Sequence, residues 1–132
     1  MPVTAKHVIS ADQFPGEHET PTNDIFPASA VEPWEEKHLR KTHRFESEDK
    51  VVRVPHDRLH PGQMVVDTHR VHDMMQKGPQ ESGSILYDRP MEATQLPSGD
   101  YMLEDGHHRV AARILAGRKT TKVHVTGRYE KP

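Results

Sequence analysis

The run Asp105-Gly106-His107-His108-Arg109 combines residue types and spacing that suit anion binding. A strand passing through Asp105-Gly106 into a helix that begins at His107 leaves first-turn N–H groups without intrahelical partners. The helix dipole adds roughly half a positive charge at that same end. Glycine at 106 removes the Cβ that would hold a phosphate off the backbone, and Arg109, one turn in, can aim its guanidinium fork at the same oxygens. His107 and His108 supply two further donors. Asp105 has two roles open to it: its carboxylate can cap the helix by accepting an N–H two or three residues on, or it can orient a hydroxyl or a metal.

Such a constellation needs a strand before it and a helix after it. Leu96-Pro97-Ser98-Gly99-Asp100 reads as a turn and Tyr101-Met102-Leu103 as the strand that returns from it, paired with Ser84-Ile85-Leu86-Tyr87. After the motif, Val110, Ala111, Ile114 and Leu115 recur at helical spacing and Gly117 closes the helix. Lys122-Val123-His124-Val125-Thr126 alternates and is expected as the final strand, with its valines on the core face. Upstream, Val51-Val52-Arg53-Val54 is a β-branched strand signal ending at Pro55, and His60-Pro61-Gly62-Gln63 marks a turn. Residues 68 to 77 form an expected amphipathic helix: Asp67 or Thr68 caps it, Val71, Met74 and Met75 share a face, and Gly78-Pro79 stops it.

Residues 1 to 50 have a different texture. Five of the eleven prolines fall in the first 33 residues, and the apolar residues come singly or in pairs, so an extended N-terminal arm is expected, with the domain proper at 51 to 132. Glu35 to Arg44 permits a short solvated helix. Phe14, Phe26, Trp34 and Phe45 stand out as anchors with which the arm would meet a protein partner. The whole chain has 132 residues, one domain's worth. Leu, Ile, Val and Phe make up only 25 of these, which suits a small core with an unpacked extension. With no cysteine, disulfide scaffolds, thiolate zinc sites and cysteine nucleophiles are excluded. His69 and His72 can share a helix face, yet no third ligand at a recognisable spacing joins them, so no metal-histidine site is expected. No apolar run approaches the 18 or so residues of a membrane span, which points to a cytoplasmic protein without a membrane partner.

The segment Gly99-Asp100-Tyr101-Met102-Leu103-Glu104-Asp105-Gly106-His107-His108-Arg109-Val110-Ala111-Ala112-Arg113 resembles the signature of the ParB/sulfiredoxin-like superfamily. Leu59 to Gln63 and the helix after it resemble that family's glutamine-bearing loop and first helix, so the resemblance covers about residues 51 to 130. It implies an α/β (α+β) domain with a small mixed sheet and two principal helices. It also implies that a nucleoside di- or triphosphate with Mg binds at the helix start. Asp105 and His107 are then the catalytic candidates, and Gly106, His107, His108, Arg109 and Gln63 hold the phosphates. Sulfiredoxin chemistry needs a cysteine that this sequence lacks, and a complete ParB clamp needs domains beyond residue 132. Phosphoryl transfer or nucleotide hydrolysis remains open, with Glu104, Asp67 and Asp57 as candidate second carboxylates. Two alternatives stand beside it. One is a DNA-associated ParB-like nuclease, for which residues 106 to 132 offer seven Lys or Arg against one acid. The other is an inactive phage-type interaction module, which would place the protein in a virion.

Overall fold

The computed structural model describes residues 18–77 and 89–131. In chain order they form β1 (Glu19–Pro21), α1 (Pro33–Thr42), β2 (Arg44–Pro55), β3 (Leu59–Pro61), β4 (Val65–Asp67), α2 (Thr68–Gln76), β5 (Met91–Gln95), β6 (Tyr101–Leu103), α3 (His107–Leu115) and β7 (Thr120–Glu130). Short 3-10 turns at Thr22–Asp24 and His56–Arg58 join them. The fold is mixed α+β, with α2 and α3 as the two principal helices expected and α1 beside them. The expected strand at 84 to 87 and the Gly78-Pro79 stop lie outside the described residues.

Strict alternation along β7 puts Val123 and Val125 fully inside, and this strand organises a five-stranded mixed sheet in the order β2-β7-β5-β6-β3. β7 pairs antiparallel with β2 and parallel with β5, while β6 pairs antiparallel with β5 and parallel with β3. One face carries Val54, Ala93, Leu103, Val123 and Val125 into a core closed by Val71 of α2 and by Val110, Ala111 and Ala112 of α3. The two alanines suit this position, because small side chains let a helix approach a sheet closely. The outer edge strand β2 is rich in charge, and Arg44 and Arg128 pair with Glu46, Glu48 and Glu130 along the ribbon it makes with β7. Charged side chains of this kind also discourage edge-to-edge pairing.

The expected arm at 1 to 50 and the boundary at 51 need correcting for residues 18 to 50. β2 starts at Arg44, so residue 51 lies within a strand. Ile25 and Phe26 are buried in the main core. The Thr22 N–H and hydroxyl donate to the carbonyls of Gln63 and Met64 at 2.7–3.0 Å, the hydroxyls of Thr20 and Thr68 meet at 2.6 Å, and β1 pairs with β4. Isolated apolar residues gave no period to read because each fills a separate site in a core built by other elements. Phe14 lies outside the described residues, and Phe26 is a core residue rather than a partner anchor. Phe45 lies over Gly127 and meets Tyr129 edge-on at 5.4 Å. α1 is the solvated helix the charges permitted: it buries no residue, the Glu35 carboxylate accepts the Glu32 N–H at 3.0 Å, and Arg40 pairs with Glu36. Among the described residues no helix is long and apolar enough to cross a membrane.

Candidate functional site

After β6 the chain turns over the start of β5, where the Glu104 and Asp105 N–H groups donate to the Glu92 carbonyl at 2.8 and 3.3 Å. Gly106 then adopts a left-handed conformation, φ +92°, and becomes the N-cap of α3. Its role differs from the one read from the sequence. A Cβ at 106 would lie 2.5 Å from the Met91 sulfur and 2.8 Å from its Cγ, so Met91 occupies the space that a phosphate was expected to use. Glycine is required here by backbone conformation and packing. Gly106→Ala is therefore expected to cost about 2–4 kcal/mol, combining left-handed strain with overpacking. Urea unfolding measures it, and a loss below about 1 kcal/mol would show that Met91 swings clear at little cost.

Asp105 does not cap the amides of the first turn. Its carboxylate accepts the adjacent Gly106 N–H at 3.0 Å and stays exposed. His107 turns inward, which removes it as a phosphate donor. It is 5% exposed, its Nε2 accepts the Gly62 N–H at 3.0 Å, and its ring also bonds the Leu103 carbonyl. With Nε2 accepting, the proton sits on Nδ1, and burial pushes the pKa down to about 4. The same engagement tells against His107 as a general acid or base. His108 is partly exposed, and its Nε2 accepts the Asp67 N–H at 2.9 Å. Burial lowers its pKa, and the Arg70 charge acts in the same direction.

Above the amino end of α3 lies an open cleft of about 470 Å³. Three arginines line it from three parts of the chain: Arg70 in α2, Arg89 ahead of β5, and Arg109 in α3. Arg70 and Arg89 are exposed, while Arg109 is only 8% exposed. Gln63 and His108 also line it, and both continue into a neighbouring cleft bounded by Glu19, Val65 and Asp67. The Gln63 side-chain amide donates to the Val65 carbonyl at 2.7 Å. Of the expected set, Gly106, His108, Arg109 and Gln63 thus border one cleft, and Asp105 stands on its rim.

The second carboxylate in the cleft is Glu92, which the sequence reading did not single out. Glu104 accepts a hydrogen bond from Thr94, and Asp67 caps α2 by accepting the Arg70 N–H at 3.1 Å. That backbone bond holds the Asp67 carboxyl below the ordinary carboxylate range. Asp57 sits in the His56–Arg58 turn and does not line the cleft. Arg70 left a signal in the sequence: a cation in the first turn of a helix opposes the dipole, so its placement there asks for another reason. Arg113, at the far end of α3, is buried and donates to the Thr120 carbonyl at 2.8 Å, fastening α3 to β7. Among the described residues no group of three or more His, Asp or Glu could hold a metal. Set beside known proteins, the chain matches no family model, no curated protein and no solved structure.

Proposed function

We propose that the cleft above α3 binds the phosphates of a nucleotide, as a nucleoside di- or triphosphate carried with Mg, in a domain of the ParB/sulfiredoxin-like kind. The observation that carries this reading is the meeting of Arg70, Arg89 and Arg109 at the amino end of one helix. Guanidinium groups on different elements can grip separate phosphate oxygens with paired hydrogen bonds, and the helix end favours the same charge. Glu92 and Asp105 add two carboxylates on the rim, which favours an anion arriving with a counter-cation over a bare one. With His107 turned inward, the contacts fall to the arginines, His108 and Gln63.

The test is a thermal-shift screen against ATP, ADP, CTP, GTP and inorganic phosphate, each with and without Mg²⁺. A ligand at a hundred times its Kd stabilises the native state by about 2.7 kcal/mol, which raises Tm by several degrees. Arg70→Ala and Arg89→Ala are the diagnostic variants, because both side chains are exposed and their loss should leave the unliganded Tm within about a degree of wild type. Each is expected to weaken binding about 10- to 100-fold, the worth of a charged hydrogen bond. Arg109→Ala is expected to lower the unliganded Tm as well, because that guanidinium is buried. Absence of a shift with every anion defeats the proposal, and shifts untouched by both rim variants place the ligand elsewhere.

A further inference from the structure

Two consecutive histidines at the start of α3 bond to backbone N–H groups five residues apart in one segment. Nε2 of His107 accepts from Gly62 at 3.0 Å, and Nε2 of His108 accepts from Asp67 at 2.9 Å. The segment between them holds Gln63, which borders both clefts, and ends at Asp67, the cap of α2. On its other side, the Gln63 and Met64 carbonyls are bound by Thr22. We propose that residues 62–67 form a strap which the paired imidazoles of His107 and His108 hold closed over the amino end of α3, and that acid releases it.

An imidazole can accept an N–H only through an unprotonated ring nitrogen. A proton on Nε2 sets N–H against N–H, and the bond becomes a repulsion. Released from α3, the strap stays fastened to Thr22 and gives way at its Gly62 and Asp67 ends, while Val66 and the 18–26 segment stay packed in the core. The loosening frees Gln63 and the Asp67 cap that orders the first turn of α2, from which Arg70 enters the cleft. The groups facing each ring are few. His107 has the Leu103 carbonyl, the Phe26 ring at 6.4 Å, the Asp105 carboxylate and His108. His108 has Arg70, which opposes a proton, and Asp67, which favours one. Burial outweighs the acids at both rings, so the closed strap excludes protons that the open one takes up. The latch operates whether or not a nucleotide enters the cleft.

Amide hydrogen exchange of the full chain between pH 7 and pH 4.5 tests it, with the Gly62 and Asp67 amides reporting the strap and Val123 and Val125 of β7 reporting global opening. Each proton taken up on opening multiplies the opening constant about tenfold per pH unit, so two rings give up to about 100-fold per unit below pH 6. His108→Gln keeps an acceptor but cannot titrate, and it is expected to reduce the dependence to about tenfold. His107→Gln should do the same at Gly62. Because His107 is the more buried of the two, His108→Gln decides the matter if the other variant does not fold. Loss of strap protection only in step with Val123 and Val125 overturns the proposal. So does an unchanged slope in His108→Gln.

Discussion

Phe26→Ala is expected to lower the free energy of unfolding by about 3–5 kcal/mol, the usual cost of emptying a buried aromatic site. Phe26 is fully buried and shares the core cluster with Ile25, Val71, Val110 and Leu103. Its ring lies 6.4 Å from that of His107, so the void would open beside the start of α3. A domain of this size is stabilised by about 5–15 kcal/mol in total, so the variant should lose roughly a fifth of it or more. Urea titration followed by far-UV circular dichroism gives the number, and the slope of the transition should not change. The experiment also decides whether the N-terminal segment belongs to the cooperative unit. A separable arm predicts a loss under about 1 kcal/mol, and that result would contradict the burial of Phe26 in the main core.

What the sequence made legible, and what it concealed, follows from the range of the interactions involved. α2, α3, β6, β7 and the 96–100 turn carry their instructions locally, in caps, apolar period and turn residues. They stand where those signals put them. β5 carries none: Met91-Glu92-Ala93-Thr94-Gln95 is made largely of helix formers and is a strand because β6 and β7 flank it on both edges. Of β2, only Val51 to Val54 reads as strand. Its charged half, from Arg44 to Lys50, is held by partners on β7 more than seventy positions away. The 18–31 segment is ordered by Thr20, Thr22 and Val31 reaching residues 61 to 68 and by Ile25 and Phe26 entering the core, contacts for which no local pattern exists.

The site divides in the same way. Its location, at a glycine-led helix start, was legible because a left-handed residue and the following helix are local features. The roles within it were not. Which of Gly106, His107, His108 and Arg109 face outward depends on what packs against the helix start, and that is Met91, Gly62 and Asp67. The inward turn of His107 converts one expected ligand into a support, and Arg109 lines the cleft from a largely buried position. The exposed cations Arg70 and Arg89 come from elements whose approach to α3 is set only by the tertiary fold.

Acidification from pH 7 to pH 4.5 is expected to remove about 5 kcal/mol of stability through two buried histidines. His56 lies between the Arg118 carbonyl at 3.1 Å and the Thr121 hydroxyl at 2.7 Å, and burial, with Arg113 nearby, lowers its pKa to about 4. Burial holds His107 near the same value. In the unfolded chain both titrate near 6.5, so below that pH the unfolded state binds protons that the native state refuses. Their contribution is complete above about pH 6.5 and declines until the native pKa is passed near pH 4. Allowing for partial access of water, each ring accounts for about 2–3 kcal/mol of it. The carboxylates of Asp67, Asp100 and Glu130, each lowered by its hydrogen bonds, act in the same direction but only below the ordinary carboxylate range. The histidines therefore set the onset of acid unfolding. Urea midpoints at pH 7.5, 6.5, 5.5 and 4.5 should fall with a slope approaching two protons from these two rings in the lower part of this range, to which His108 adds. His56→Gln, which keeps a polar group but cannot titrate, should lower the slope by about one proton. A midpoint that stays level down to pH 5 would mean that neither ring is held neutral by the fold, and it would remove the basis for the strap as well.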